Sequence, residues 1–244
     1  MIILSVGMPR AGSGWYYNLT NEMMLAAGHQ DARQIRQRYH LQRILTEVNC
    51  NIGALTTRRL LAVLIPSLLG NTFVIKAHAG PTPLAQSLIR GGMLRAAYIY
   101  RDPRDAMLSA YENGQRAVQK GHPNAFSHLT DFNTAMGFIL EYVHISEAWM
   151  NADKVLHTQY ENMLESYELE ARRLVAFLGL DIQQLDVRQV IDKFQPKATA
   201  KSEQKGIHYS QGKVGRFRDK MSADEQTILA DRLGPYLESM GYPV

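Results

Sequence analysis

Short apolar runs alternate along the chain with longer segments in which apolar residues recur at helical spacing. The runs predict strands at 2–7, 72–76, 96–100 and 154–158. The helical spacing predicts helices at 14–27, about 31–48, 57–69, from Pro103, about 130–150, about 161–179 and 183–193, and a last one from the capping box of Ser222 and Glu225 to about Met240. Buried strands that alternate with helices are typical of a parallel sheet covered on both faces. We therefore predict an α/β fold, a parallel sheet flanked by helices, in a single domain over residues 1–244.

A glycine-rich turn joins the first predicted strand to the first predicted helix. After Gly7 it reads Met8-Pro9-Arg10-Ala11-Gly12-Ser13-Gly14. The backbone N–H groups of such a turn and the positive end of the helix dipole form an anion site. The spacing is close to the Walker A pattern, but Ser13 stands where the lysine belongs and Gly14 where the magnesium-binding hydroxyl belongs. The turn is therefore expected to bind a phosphate, although it lacks the lysine and the hydroxyl that an NTPase needs. The alternative is that it only connects a strand to a helix and binds no ligand.

The composition narrows the class of protein. A chain of 244 residues with 45% hydrophobic residues can bury one sizeable core. The net charge of +4 and the pI near 9.1 suit an anionic ligand, and without a run of basic residues they do not indicate nucleic acid. The single cysteine, Cys50, excludes an intrachain disulfide and a zinc cluster, so we expect a cytoplasmic protein. The apolar runs at 2–7 and 60–69 are too short for a signal peptide or a membrane span, so no membrane partner is expected.

The residues that follow each predicted strand are candidates for a site, because parallel sheets bind ligands at the carboxyl ends of their strands. Arg10 follows the first strand, Lys76 and His78 the second, Arg101 the third and Tyr160 the fourth. Taken singly, each has an ordinary interpretation, such as a lysine at a solvated strand end or a histidine with a structural partner. A surface ion pair between Arg104 and Asp105 is another of these interpretations. Their coincidence at every strand end instead predicts one anion site with a candidate base.

Several segments resemble the motifs of sulfotransferases that use 3′-phosphoadenosine 5′-phosphosulfate (PAPS). The family's 5′-phosphosulfate loop, Pro-Lys-Ser-Gly-Thr-Thr-Trp, corresponds to residues 9–15, and its Lys-Thr-His corresponds to 76–78. Its 3′-phosphate segment pairs an arginine at a strand end with a serine eight positions later, here Arg101 and Ser109. Its Tyr-Glu-Asp/Asn segment corresponds to 160–162, and its C-terminal Arg-Lys-Gly segment corresponds weakly to 210–218. The resemblance covers most of the chain and implies the P-loop NTPase-like fold of the sulfotransferases.

The resemblance also implies a role for each matching residue. His78 corresponds to the family's catalytic base, and Arg10 and Lys76 would neutralise the charge that develops during transfer. PAPS would be the donor and 3′-phosphoadenosine 5′-phosphate (PAP) the product, with no metal ion. The implied catalytic residues are His78, Lys76 and Arg10, and the implied nucleotide-binding residues are Arg10, Ala11, Gly12, Ser13, Gly14, Trp15, Arg101, Ser109, Tyr160, Gln211, Gly212 and Lys213. Within this set, Trp15 is expected on the face of the adenine, and the alternative is a tryptophan that packs in the core.

Some positions depart from the family's motifs. Arg10 replaces a lysine, Gly14 replaces a threonine, and Ser210 and Gln211 replace two cations. The last phosphate contact is therefore expected from Lys213 or from the backbone. Two other classes of function stay open: a P-loop kinase for a small molecule, and a nucleotide-binding protein without catalysis. The kinase is weakened by the missing Walker lysine, since Ser13 stands at that position. The non-catalytic binding protein is weakened by His78, a candidate base that lies two positions after Lys76.

The acceptor is the part of the function that the sequence determines least. Its pocket is predicted from the segments 31–48, 112–128 and 195–215, whose polar residues favour a small polar acceptor with a hydroxyl. The region 195–220 has little periodicity and several glycines, and it is predicted to be a loop that closes over the ligand. A peptide tyrosine and a glycan stay open as alternative acceptors, and the oligomeric state stays open as well.

Overall fold

A parallel sheet lies at the centre of the computed structural model, which describes residues 1–196 and 213–244. Its strands are β1 (Ile2–Gly7), β2 (Phe73–Ala77), β3 (Leu94–Tyr100) and β4 (Val155–Gln159), in the order β2-β1-β3-β4. The four predicted strands are confirmed, with bounds that differ by at most two residues. All neighbours pair in parallel, and the register sets Val6 beside Ala77 and Gly7 beside Ile99. The carboxyl ends of the strands therefore meet at one edge of the sheet.

Helices connect the strands and cover both faces of the sheet. Leu4 of β1 belongs to a cluster with Leu60 and Trp149 on one face, and its neighbour Ile3 belongs to a cluster with Leu19 on the other. Because both faces are covered, β1 is buried at every position, without alternation. In chain order the helices are α1 (Ser13–Ala26), α2 (Ala32–Arg38), α3 (Thr57–Leu68), α4 (Pro83–Arg90), α5 (Pro103–Gln119), α6 (Phe132–Met150), α7 (Tyr160–Glu165), α8 (Tyr167–Leu178), α9 (Leu185–Lys193), the short helix Phe217–Lys220 and the C-terminal helix Ala223–Ser239.

The helix predicted at 31–48 is much shorter in the structure. It ends at Arg38, and His40 has a φ of 54°, in the left-handed region that an α-helix cannot continue through. The chain then folds back, and Arg36 Nε donates to the carbonyl of Leu45 at 2.7 Å. Leu41 and Leu45 are still buried. The apolar spacing thus indicated burial correctly, although the buried residues lie in turns.

Two further differences concern the helix between β2 and β3 and the helices after β4. The helix α4 was not predicted, although Thr82 caps it through the Ala85 N–H at 3.3 Å and Pro83 opens it, a common helix start. The helix predicted at 161–179 is two helices, α7 and α8, which meet at Ser166 with a φ of −127°. The capping box of Ser222 and Glu225 is confirmed at the start of the C-terminal helix.

The loop predicted at 195–220 falls mostly outside the described residues, since 197–212 are not described. Within the part that is described, the helix Phe217–Lys220 forms where a loop was predicted. The prediction that this region closes over a ligand stays a prediction.

Candidate active site

Two glycines that leave no room for a side chain shape the turn after β1. A Cβ on Gly7 would lie 2.6 Å from Ile99 Cγ2 and 2.7 Å from Ser13 Cβ. Gly12 has a φ of +75°, and a Cβ there would lie 2.7 Å from two ring carbons of Tyr160. Gly12 is also the N-cap of α1, and it supplies no side-chain cap for the first amides of the helix. These N–H groups and the positive end of the helix dipole can therefore face an anion, as the sequence predicts.

Arg10 connects this turn to the start of α5. Its backbone has a φ of 66°, and its Nε donates to Ser109 Oγ at 3.1 Å. Its carbonyl accepts a hydrogen bond from Arg101 Nη1 at 3.4 Å. Three predicted site residues from two separate motifs, the glycine turn and the 3′-phosphate segment, thus form one hydrogen-bonded group.

Arg101 is buried at the end of β3 and is held from several directions. Its Nη2 donates to Asp105 Oδ2 at 3.0 Å and to the carbonyl of Lys213 at 2.8 Å. Its guanidinium carbon lies 4.6 Å from the centre of the Tyr160 ring. Its Nε is buried and has no hydrogen-bond partner among the described residues. A buried N–H without a partner costs free energy, and a hydrogen bond from a ligand would remove that cost. Arg101 Nε is therefore an open donor that suits an anion.

Trp15 lies behind the turn, in the core. It is 2% exposed, its indole N–H donates to the carbonyl of Phe194 at 3.0 Å, and its ring stacks on Tyr167 at 5.9 Å. Tyr160 meets the Trp15 ring at 6.4 Å in an edge-to-face arrangement and lies against Arg101. Tyr160 therefore reaches the site itself, whereas Trp15 packs behind it; the contact between Trp15 and adenine stays a prediction.

His78 follows β2 at the same edge of the sheet. Its Nδ1 lies 2.6 Å from the carbonyl oxygen of Gly7. Since a carbonyl only accepts, Nδ1 carries the hydrogen of the neutral ring, and Nε2 is left as an acceptor. Burial, and then the charge of Lys76, lower the pKa of His78 to about 4, although the bond to Gly7 acts in the opposite direction. The ring is therefore neutral at pH 7 and able to accept a proton.

A tryptophan from α6 holds the segment that carries His78. Trp149 is fully buried and stacks on Tyr98 of β3 at 6.1 Å. Its indole N–H donates to the carbonyl of Ala79 at 3.0 Å, one residue after the histidine. Sequence reasoning missed this contact, because a tryptophan near the end of an apolar helix gives no signal for its hydrogen-bond partner.

The positive charges at the strand ends are close enough to affect one another. Burial, and then the charge of Arg10, lower the pKa of Lys76 to about 8. Burial, and then the charges of Arg116 and Arg101, lower the pKa of Arg10 to about 10. Both side chains are therefore still protonated at pH 7. In the part of the chain that the structure describes, no carboxylate lies within ion-pair distance of Lys76, so its charge is available to an anionic ligand.

The remaining predicted site residues divide into those near the turn and those near the C-terminus. Ala11 is buried in the turn, and Ser13 and Gly14 begin α1. Gln211 and Gly212 lie outside the described residues. Lys213 takes part through its backbone carbonyl, and the residue as a whole is exposed.

The ion pair between Arg104 and Asp105 does not form. Arg104 pairs with Asp102 at 2.9 Å and is buried. Asp105 pairs with Arg101 at 3.0 Å and also accepts from the backbone N–H groups of Gly215 and Phe217. Sequence reasoning therefore missed Asp105 as a part of the site. The spacing of four residues from Arg101 on a predicted helix was the available signal.

Aromatic side chains lie on another side of Arg10. Its guanidinium carbon lies 5.8 Å from the centre of the Phe126 ring. Phe126 in turn meets Phe138 at 5.8 Å, and Phe138 meets Tyr142 at 4.9 Å. The segment around Phe126 approaches α5 closely at Gly114, where a Cβ would clash with the Phe126 carbonyl. Part of the predicted acceptor segment 112–128 thus borders the site.

The predicted acceptor segment 31–48 lies partly elsewhere. The hydroxyl of Tyr39 accepts from Asn71 Nδ2 at 3.1 Å, and Asn71 precedes β2. Tyr39 therefore lies at the amino edge of the sheet, opposite to His78. The order of elements along the chain gave no indication of this, because it does not fix which sheet edge a turn covers.

Residues 1–196 and 213–244 contain neither a cluster of metal ligands nor a helix suited to span a membrane. No group of three or more His, Cys, Asp or Glu side chains there could hold a metal ion. No helix in these ranges is both long and apolar enough to cross a membrane.

The family and the fold follow from comparisons with known proteins. A search of curated protein sequences finds no significant match. Among solved structures, the mouse sulfotransferase SULT7A1 complexed with PAP aligns with a TM-score of 0.61 at 12% identity, over 97% of this chain and 84% of that one. Retinol dehydratase in complex with androsterone and the inactive cofactor PAP aligns with a TM-score of 0.59 at 16% identity, over 97% and 80% of the two chains. At these identities the likeness shows the fold.

A further structure, retinol dehydratase in a complex with retinol and PAP, aligns with a TM-score of 0.60 at 15% identity, over 97% of this chain and 81% of that one. The family model described as the sulfotransferase domain matches residues 2–231, which is nearly the whole chain. The chain therefore belongs to the sulfotransferase family.

Proposed function

We propose that the protein transfers the sulfuryl group of PAPS to the hydroxyl of a small acceptor, with His78 as the general base. The observation that carries the proposal is the 2.6 Å hydrogen bond between His78 Nδ1 and the Gly7 carbonyl. It leaves Nε2 as a proton acceptor at the same sheet edge as the anion-binding turn. Membership of the sulfotransferase family supports the reaction, and PAP in the compared structures supports the donor.

The residues at this edge fit a nucleotide with phosphate at both its 5′ and 3′ positions. The turn at 7–14 offers backbone N–H groups to the 5′-phosphate, because Gly12 supplies no side-chain cap for the first amides of α1. The open Nε of Arg101 suits the 3′-phosphate. Arg10 links Arg101 to Ser109, since its carbonyl accepts from Arg101 Nη1 and its Nε donates to Ser109 Oγ. The Tyr160 ring lies against both the turn and Arg101, where it can carry the base or the ribose between the two phosphates. A 3′-phosphate distinguishes PAPS and PAP from ATP and ADP.

The transfer is an in-line displacement at sulfur. PAPS supplies the sulfuryl group, and PAP is the leaving group. The acceptor oxygen bonds to sulfur as the bond from sulfur to the bridging phosphate oxygen breaks, and His78 Nε2 takes the hydroxyl proton. Arg10, Lys76 and the amides of the turn stabilise the negative charge on the bridging and sulfuryl oxygens. Because these side chains supply the positive charge, we propose that the reaction needs no metal ion.

The acceptor is proposed to be a small polar molecule. Beside Arg10, the ring of Phe126 offers a flat apolar surface. Glu112 and Arg116 lie near the same guanidinium, where Arg116 lowers and Glu112 raises the pKa of Arg10, and they offer polar contacts. Glu112 is paired with Arg216 at 2.7 Å and with Arg116 at 3.7 Å. An acceptor with a hydroxyl and further polar groups fits these surroundings better than a wholly apolar one.

Nucleotide binding tests the proposed donor. By calorimetry the protein should bind PAP without magnesium, and Arg101→Ala should weaken binding by about 1.5–3 kcal/mol through the loss of a charge-assisted contact. Arg95→Ala is a matched control, because Arg95 lies in β3, the strand that Arg101 follows, and donates to the carbonyls of Phe177 and Leu178, away from the site. If ATP with magnesium binds more tightly than PAP, the donor assignment is wrong.

Product formation separates catalysis from binding alone. The enzyme with PAPS and a panel of small hydroxylated metabolites should release PAP and a sulfated product. A protein that binds PAP and sulfates no member of a broad panel would support the alternative of a nucleotide-binding protein without catalysis.

A further inference from the structure

Asp105 places a buried carboxylate beside the proposed 3′-phosphate site. It lies one helical turn after Arg101, and the residue is 1% exposed. Its Oδ2 accepts from Arg101 Nη2 at 3.0 Å and from the Gly215 N–H at 2.7 Å. Its Oδ1 accepts from the Phe217 N–H at 3.1 Å. Both oxygens are therefore engaged, and the donors come from two segments that are more than 100 positions apart.

The negative charge of Asp105 disfavours binding of an anionic ligand beside it, unless the carboxylate also helps binding in some other way. By charge alone it repels a phosphate and offsets part of the attraction of Arg101. Its contacts indicate what the other effect is. By taking Nη2, it fixes the plane of the guanidinium and leaves Nε as the open donor. By taking two backbone N–H groups, it holds the segment at 213–217 against Arg101, whose Nη2 also contacts the Lys213 carbonyl.

We propose that Asp105 is a positioning residue for the donor nucleotide. It holds the Arg101 guanidinium and the backbone of Gly215 and Phe217 in one arrangement, so that Arg101 Nε faces the 3′-phosphate. This rests on the proposed function, which assigns the 3′-phosphate to Arg101. The carboxylate itself does not touch the nucleotide.

The variant Asp105→Asn separates positioning from charge, because the two effects have opposite signs. Loss of the negative charge alone would tighten PAP binding. Loss of positioning weakens it, since the amide of Asn presents a donor to at least one N–H that the carboxylate now accepts from. We expect PAP to bind roughly 10- to 100-fold more weakly. The affinity for adenosine 5′-monophosphate, which lacks the 3′-phosphate, should change by less than about threefold, which is no more than the net contribution of one neutral hydrogen bond.

A matched control removes a buried carboxylate of the same kind elsewhere. Glu170 is 3% exposed and pairs with Arg173 at 2.7 Å on α8. Glu170→Gln should lower the thermal midpoint of unfolding and leave the preference for PAP over adenosine 5′-monophosphate unchanged. Hydrogen exchange at the amides of Gly215 and Phe217 should accelerate in Asp105→Asn and not in Glu170→Gln.

The outcomes distinguish this inference from the assignment on which it rests. If Arg101→Ala keeps the preference for PAP, the assignment of the 3′-phosphate fails. If Arg101→Ala loses the preference but Asp105→Asn keeps it or binds PAP more tightly, only the positioning role fails. Should Asp105→Asn not fold, Asp105→Glu keeps the charge and moves the carboxylate by one methylene. Wild-type affinity for PAP in that variant would overturn the proposal.

Discussion

Replacing Gly12 by alanine tests whether the turn after β1 must pack against Tyr160. The backbone of Gly12 has a φ of +75°, and an added Cβ would lie 2.7 Å from two carbons of the Tyr160 ring. Two costs therefore add. One is the strain of an alanine in the left-handed region, and the other is a contact that forces the ring or the turn to move.

The magnitude of each cost follows from the local geometry. Left-handed strain for alanine is about 1–2 kcal/mol, and an overpacked methyl group adds about 1–3 kcal/mol. Gly28 is a matched control, with a φ of +86° and no heavy atom within 4 Å of an added Cβ. Gly28→Ala should therefore lower the free energy of unfolding by the strain alone, about 1–2 kcal/mol, and Gly12→Ala by about 2–5 kcal/mol.

Urea denaturation measures the two free energies of unfolding, and calorimetry measures the affinity for PAP. The Tyr160 ring supports the Arg101 guanidinium at 4.6 Å, so a displaced ring should also displace the phosphate contact. Gly12→Ala should weaken PAP binding about tenfold, the equivalent of one hydrogen bond, and Gly28→Ala should leave it unchanged. Equal losses of stability and equal affinities in the two variants would refute the packing argument.

Two other predictions concern His78 and Lys76. His78→Ala should lower turnover by roughly 10²–10⁴-fold, which is the usual contribution of a general base. The affinity for PAP should stay near the wild-type value. Near wild-type turnover, measured on folded and PAP-saturated protein, would rule out His78 as the base. The reaction needs His78 neutral and Lys76 charged, so kcat/KM should rise with pH as His78 loses its proton near pH 4 and fall as Lys76 loses its proton near pH 8. Lys76→Arg should extend the plateau to higher pH, because a guanidinium stays protonated there; an unchanged alkaline limb would assign that limb to another group.

The sequence by itself determined the parts of this protein that depend on neighbours in the chain. The four strands, the glycine turn at 7–14 and the capping box at Ser222 are patterns of a few consecutive residues, and all appear in the structure. Because parallel strands present their carboxyl ends at one edge, the residues that follow each strand could be grouped without coordinates. Arg10, Arg101 and Ser109 do lie together for this reason.

Only the tertiary structure decided the properties that depend on residues distant in the chain. The helix at 31–48 was predicted from its apolar spacing, but burial in turns produces the same spacing, and only the packed chain shows the reversal at His40. The tautomer of His78 depends on the Gly7 carbonyl, 71 positions away. The role of Asp105 depends on backbone N–H groups 110 and 112 positions away. Sequence patterns report local conformation and burial, whereas hydrogen-bond partners and pKa values are set by whichever groups the packed fold brings into contact.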